Sequence, residues 1–265
     1  NDTRLTPPNL AELNAEFPEV EVSLGRLDEA LLLRAQEIIT SPGISINEPE
    51  LLSVRVNAGI SVIGDIELFC RATTKPIVAI TGSNAKSTVT TLVGLMAENA
   101  HIKVGVGGNL GTPVLELLDP ETELYILELS SFQLETTHSL KAAAAIVLNV
   151  SEDHMDRYAS MQAYHQAKHR VYRNCQFYIT NRQDPLTVPL LPEAIPHASF
   201  GLDAPDLKTY GVIREAGQSY LAKGRQKLLL ASEMGIFGEH NIANALAALA
   251  LGEAVHIPIP VMLQT

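Results

Sequence analysis

The chain has 265 residues, 46% of them apolar and 18% charged, with a formal net charge of -11. This composition supports a sizeable buried core and excludes a disordered chain, and the acidity argues against nucleic acid or an anionic membrane surface as a bulk partner. The two cysteines, Cys70 and Cys175, lack metal-ligand spacing, no run reaches the roughly 18 apolar residues of a membrane span, and no signal peptide is visible; a cytoplasmic protein with reduced thiols is expected. The first residue is Asn1 rather than Met, so the numbering is not taken to begin at a natural N-terminus.

Residues 1–63 read as a small α/β piece. In "EALLLRAQEIIT" Leu31, Leu32, Ala35 and Ile38 or Ile39 fall at helical spacing before the turn signal "SPGI" at 41–44. "ISVIGDIELF" predicts a strand and then a helix start, with a domain joint near Gly64 and a second domain over 64–265. From Lys75 onward, short apolar runs at 76–80, 124–129, 144–150 and 176–180 alternate with longer helical stretches, the pattern of a parallel sheet covered by helices. Around Gly217 and Gly224, residues 207–230 alternate polar and apolar as in a small antiparallel meander, and the Ala/Leu-rich run 241–255 predicts a helix packed on the sheet.

The strongest chemical signal is "IVAITGSNAKSTVTTLVGLMAENA". An apolar strand ends at Ile80, a polar loop follows, and Lys86, Ser87 and Thr88 open a helix with Val89, Leu92, Val93 and Met96 on one face. Loop amides and a helix N-terminus attract phosphate, a lysine adds a full charge, and the following hydroxyl suits Mg²⁺. The spacing is not that of a standard Walker A loop, and the alternative is an ordinary strand-to-helix turn with an exposed lysine. "GVGGNLG" (105–111) is by itself a flexible βα loop or a ligand loop. Glu128, in "LELSSFQLE", falls near the C-terminal end of a strand, where a parallel sheet collects ligands, or is a solvated strand-end acid. Glu152, Asp153, His154 and Asp156 form either a cation neighbourhood or a polar loop. Tyr164 and Lys168 share a face of a helix capped by Ser160, with an exposed lysine as the default. Asn241 and Asn244 lie one turn apart, able to read a base edge, with Asn241 alternatively a helix cap.

These segments together resemble the Mur ligases, and within them the D-glutamate-adding branch. The likeness begins at "DTRLTPPNL", runs through "TGSNAKSTVTTL", "GVGGNLG", "LELSSFQLE" and "LNVSEDHMDRY", and closes at "HNIANALAALAL". It implies a partial Rossmann-like N-terminal domain followed by a P-loop-type ATPase domain with a mostly parallel sheet. It also implies ATP on Gly82, Ser83, Asn84, Ala85, Lys86, Ser87 and Thr88, with adenine by Asn241 and Asn244. One Mg²⁺ would be served by Ser87 and Glu128, a second by His154 and a carbamylated Lys168, and Lys86, Glu128, His154 and Lys168 would act in catalysis. Asp2, Thr3, Arg4, Ser41 and Gly43 match a uridine-nucleotide pocket; Asn109, Ser130, Gln133 and His154 match residues facing the nucleotide sugar. The implied substrates are UDP-N-acetylmuramoyl-L-alanine and D-glutamate, joined by a monomeric enzyme of peptidoglycan precursor synthesis, and hence of cell shape and division. Rival readings are another Mur or folylpolyglutamate-type ligase, a non-catalytic module of the same fold, and a simple P-loop NTPase. Ala85 stands where the family usually has glycine, and a negative φ is expected there. The family begins with a further strand and glycine-rich loop and continues into a third domain carrying the D-glutamate site, so these 265 residues alone are expected not to complete ligation.

Overall fold

The structure, a computed structural model, describes residues 1–192 and 194–265, which divide into two compact units, Asn1–Gly64 and Asp65–Thr265. In the first unit, helix α1 (Leu10–Glu16) buries none of its residues. Helix α2 (Glu29–Leu32) starts on Asp28, whose carboxylate accepts from the amides of Ala30 and Leu31. The helix expected to run on to Ile39 stops there. Strand β1 (Glu37–Ile39) instead pairs in parallel with β2 (Ser61–Ile63), and helix α3 (Pro49–Asn57) lies between them in sequence. Pairing with β2 overrides the helical spacing of two β-branched residues, and only Ile38 turns inward, to join Leu32, Leu51, Val54 and Val62.

The second unit opens with helix α4 (Asp65–Ala72), strand β3 (Ile77–Thr81), helix α5 (Lys86–Asn99) and strands β4 (Val104–Gly108) and β5 (Leu124–Glu128). Helix α6 (Ser131–Glu135), strand β6 (Ala144–Val147), helix α7 (Met161–His169) and strands β7 (Tyr178–Asn181) and β8 (His197–Phe200) follow. Strands β9 (Tyr210–Glu215), β10 (Gln218–Lys223) and β11 (Gln226–Leu230) form the expected meander, and helices α8 (Glu239–Ala254) and α9 (Ile259–Gln264) complete the unit. The sheet order is β11-β10-β9-β8-β7-β6-β3-β5-β4. Pairing is parallel from β4 through β9 and antiparallel across β9, β10 and β11, with an irregular register between Leu221 and Ala222 against β11.

The central strand β3 is buried throughout, which is why it reads as an unbroken apolar run. Val78 and Ile80 pack with Val89 and Val93 of α5 and with the apolar length of α8. Ile77 and Ala79 face the opposite layer, with Phe69, Tyr125, Tyr164 and Tyr172. The glycine-rich segment 105–111, read as a loop, is largely strand. At Gly108 φ is +104°, and a Cβ there would lie 2.5 Å from the backbone oxygen of Glu128, so only glycine lets β4 end against β5 this closely.

One buried hydroxyl ties three segments together. Tyr172 Oη accepts from the Val147 amide at 2.9 Å and lies 3.0 Å from the carbonyl oxygens of both Ile179 and Thr187, one of which takes its proton. Tyr172→Phe leaves the Val147 amide buried without its acceptor. A loss of about 1–3 kcal/mol in urea unfolding is expected, and an unchanged midpoint would contradict this account.

Candidate active site

The end of β3 and the end of β6 are neighbouring strand ends, and the loops leaving them interlock. The Ser83 amide donates to Asn149 O at 2.9 Å. Asn84 N donates to Asn149 Oδ1 at 2.8 Å, and Asn149 Nδ2 returns a bond to Asn84 O at 3.1 Å. Ser83 Oγ donates to Ser151 O and accepts from Ser151 N, each at 3.0 Å, and lies 3.1 Å from Tyr164 Oη. Loop 81–85 is therefore held by bonds to its neighbour, with its own Ser83 hydroxyl among them. Asn149 and Ser151 escaped the sequence analysis because nothing local marks a bond between residues 65 or more positions apart.

Helix α5 starts from this loop with Ala85 as N-cap at φ 67°, ψ 1°. The expected negative φ is wrong. Closure of the loop onto Asn149, followed at once by helix at Lys86, places the intervening residue in the left-handed region, where an alanine methyl costs about 1 kcal/mol or more. Lys86 Nζ folds back to donate to the carbonyls of Gly82 (3.0 Å) and Ser83 (3.1 Å). Ser87 and Thr88 are exposed in the first turn of α5, whose leading amides have no partner within the helix.

Lys168 reaches the same loop from α7. It is 2% exposed, against the default of a surface lysine, and its Nζ donates to Gly82 O at 2.8 Å while lying 4.5 Å from the centre of the Tyr164 ring. Burial, with the Lys86 ammonium adding to it, pushes its pKa down to about 7. The i, i+4 spacing of Tyr164 and Lys168 was legible; the inward turn of α7 was not.

Glu128, at the C-terminal end of β5, is 2% exposed. Its Oε2 accepts from Ser87 Oγ at 2.8 Å and its Oε1 from Asn109 Nδ2 at 2.7 Å. Both donors are neutral, so the buried negative charge is hydrogen-bonded but not neutralised by them, a fitting seat for a divalent cation. His154 has φ 55°; its ring lies 4.9 Å from Phe132 and 6.4 Å from Tyr164, and its Nε2 lies 3.4 Å from Asp153 Oδ2. Glu152 and Asp156 are exposed. Among the described residues no three His, Cys, Asp or Glu side chains gather as a ready-made metal site. The pairs Ser87–Glu128 and His154–Lys168 can complete one only with ligands from outside the side-chain set or with Lys168 converted to an anion.

The remaining candidates divide by local role. Ser130 and Gln133 form a capping box on α6: Ser130 Oγ accepts from Gln133 N at 3.1 Å and Gln133 Oε1 accepts from Ser130 N at 3.0 Å. Gly238, not Asn241, caps α8. Asn241 Nδ2 donates to Phe237 O at 2.8 Å and Asn244 Nδ2 to Asn241 Oδ1 at 3.2 Å, so the two carboxamides are linked at the start of a helix that packs on α5. In the first unit Asp2, Thr3, Arg4, Ser41 and Gly43 line a cleft of about 780 Å³. Arg4 grips Asp2 through Nε (2.9 Å) and Nη2 (2.7 Å), which holds the Asp2 carboxyl down at about 2.

Ala85→Gly removes the methyl from the left-handed position. The folded state is relieved of that strain, and glycine's looser unfolded chain offsets part of the gain, so a net rise of about 0.5–1 kcal/mol in unfolding free energy is expected. A fall in urea midpoint would place the strain elsewhere.

The chain has known relatives. Residues 80–252 match the family model described as the Mur ligase middle domain, and residues 1–64 match that of the Mur ligase MurD-like N-terminal domain. A relative from Acinetobacter baylyi, UDP-N-acetylmuramoylalanine–D-glutamate ligase, is 56% identical over all of this chain. The protein of the same name from Pseudomonas aeruginosa is 56% identical over 99% of it. The chain spans 58% of the length of each. The fold is shared with a solved UDP-N-acetylmuramate:L-alanyl-gamma-D-glutamyl-meso-diaminopimelate ligase from Neisseria meningitides, at TM-score 0.62 and 16% identity, covering 98% of this chain and 86% of that one. It is shared also with a pseudomurein peptide ligase type C from Methanothermus fervidus, at TM-score 0.60 and 17% identity, covering 99% and 63%. A family model matched across most of the sheet, a second matched over the first unit and relatives 56% identical along the chain lead to one conclusion: the chain belongs to the Mur ligase family.

Proposed function

We propose that the protein to which this chain belongs joins D-glutamate to UDP-N-acetylmuramoyl-L-alanine at the expense of ATP, in the cytoplasm, as a step of peptidoglycan precursor synthesis. The meeting of Lys86 and Lys168 on the Gly82 carbonyl, with Glu128 bonded to Ser87 beside them, carries this reading, and the names of the relatives supply the substrates. Residues 64–265 hold ATP: the amides of the loop and the first turn of α5 face the phosphates, and Lys86 leaves its bonds to Gly82 and Ser83 for them. Asn241 and Asn244 present their linked carboxamides to the adenine edge. Residues 1–63 hold the uridine nucleotide in the cleft lined by Asp2, Thr3, Arg4, Ser41 and Gly43. Asn109 and His154 face the nucleotide sugar, and Ser130 and Gln133 serve it by fixing the start of α6.

The chemistry is two displacements. The L-alanyl carboxylate oxygen attacks the γ-phosphorus, the bond to the β-phosphate oxygen breaks, and ADP leaves with an acyl phosphate behind. The amine of D-glutamate then attacks the acyl carbon, the amide bond forms, phosphate departs and the amine loses a proton. In the first displacement two anions must meet, so positioning and charge neutralisation carry most of the barrier reduction. Lys86 supplies one positive charge. Ser87 and Glu128 would hold one magnesium ion and His154 with Lys168 another, and such ions would further neutralise the phosphates. To hold the second, Lys168 must be an anion. A free amine at about pH 7 is nucleophilic, and its attack on dissolved CO2 yields a carbamate and a proton, turning a repelling ammonium into an oxygen ligand.

Two measurements test this reading. ADP release by the whole protein should require both UDP-N-acetylmuramoyl-L-alanine and D-glutamate; turnover with a different acceptor amino acid, or with none, would refute the assignment. Lys168 is expected to take up ¹³C-bicarbonate as a carbamate resonance that strengthens as pH rises through about 7, because only the neutral amine reacts. The resonance should be missing in Lys168→Arg, and a signal of equal strength in that variant would place the carbamate elsewhere.

A further inference from the structure

Two histidines on α7 are used by none of this chemistry. His165 and His169 sit one turn apart, their ring centres 3.9 Å from each other. Both Nε2 atoms meet at a single point: His165 Nε2 lies 2.8 Å, and His169 Nε2 2.7 Å, from the carbonyl oxygen of Leu186. Leu186 follows Asp184, whose carboxylate is already committed to the amides of Val150 and Leu186. Both rings are partly open to solvent and Leu186 is 46% exposed, so the point of convergence is reachable from outside.

A carbonyl oxygen accepts two N–H bonds readily, so as they stand both histidines strap α7 to the loop after β7. Two imidazole rings brought side by side onto one atom place two nitrogens together, the arrangement a divalent transition ion selects once each nitrogen has given up its proton. Imidazole nitrogen binds such ions at about 2.0–2.1 Å. The convergence point is the Leu186 oxygen itself, so an ion bound by both nitrogens needs that oxygen to move back by about 2 Å and stay as a third ligand while the two rings turn onto the ion.

The geometry points to His165 and His169 as a two-imidazole chelate for a zinc-class divalent ion, separate from the magnesium positions and borne on the outer side of the helix that carries Tyr164 and Lys168. Both rings must shift the remaining proton to Nδ1 to free Nε2 for the ion. Binding pins α7 to residues 184–186 more firmly than two hydrogen bonds do, and it stabilises the folded state by mass action.

The test is zinc titration of the protein by calorimetry, with His165→Gln, His169→Gln and the double variant, since glutamine keeps a donor for Leu186. Wild type should bind one Zn²⁺ more than the double variant. Each single variant should lose roughly tenfold or more in affinity at that site, with the double variant little worse than either single one, because a chelate is broken by its first missing arm. Thermal midpoint should rise with Zn²⁺ in wild type and rise less in the double variant. As a readout that needs no variant, the ¹⁵N resonances of both Nε2 atoms should shift together on adding Zn²⁺. Equal zinc binding by the double variant, additive losses in the single variants, or unmoved His165 and His169 resonances in zinc-saturated wild type would each overturn the assignment.

Discussion

The site depends on one adjacency, that of the carboxyl ends of β3 and β6. Because Thr81 and Val147 are paired residues on neighbouring strands, the loops that leave them emerge side by side, and Ser83–Asn84 meets Asn149–Ser151 in an exchange of backbone and side-chain hydrogen bonds. A loop of small residues would otherwise sample many shapes, and ordering it costs about 1–2 kcal/mol per residue. Here the cost is met in folding by the sheet, before any ligand arrives. The same closure sets the left-handed turn at Ala85 and the direction in which α5 departs.

On that frame the charges are arranged in opposition. Two lysine nitrogens share the Gly82 carbonyl oxygen, and a buried carboxylate sits across the helix start from them, held by a serine and an asparagine. Neither arrangement is comfortable alone. Crowding and burial push Lys168 toward its neutral form, and Glu128 remains hydrogen-bonded by uncharged groups. Anionic groups brought to Lys86 and a cation brought to Glu128 would relieve this opposition.

Much of this is legible in the order of the residues. The run from Ile77 to Ala97 announces strand, turn and helix because its periodicity changes from unbroken apolar to every third or fourth residue at the point where small polar residues intervene. The meander at 207–230 and the helix at 241–255 are equally plain. The misreadings share a cause. Ile38 and Ile39 are strand because β2 lies beside them, 24 residues further along. Lys168 is buried because α7 turns that face inward, and Ala85 is left-handed because Asn149 closes the loop from another strand. In each case the deciding partner is distant in sequence, where local periodicity carries no information. The family resemblance supplied roles for such residues without supplying their geometry.

The two margins of the large sheet differ from its centre in a way that bears on how the molecule behaves in company. One margin, β4, is a short strand built largely of glycine; the other, β11, departs from regular register against β10 and carries Lys227, which pairs with Glu215. Open strand edges recruit the edges of other molecules, and short edge strands, irregular register and charge are devices that discourage this. The sheet thus terminates its own growth on both sides, leaving the apolar strands between them shielded from pairing with a neighbour at the concentrations at which such proteins are made.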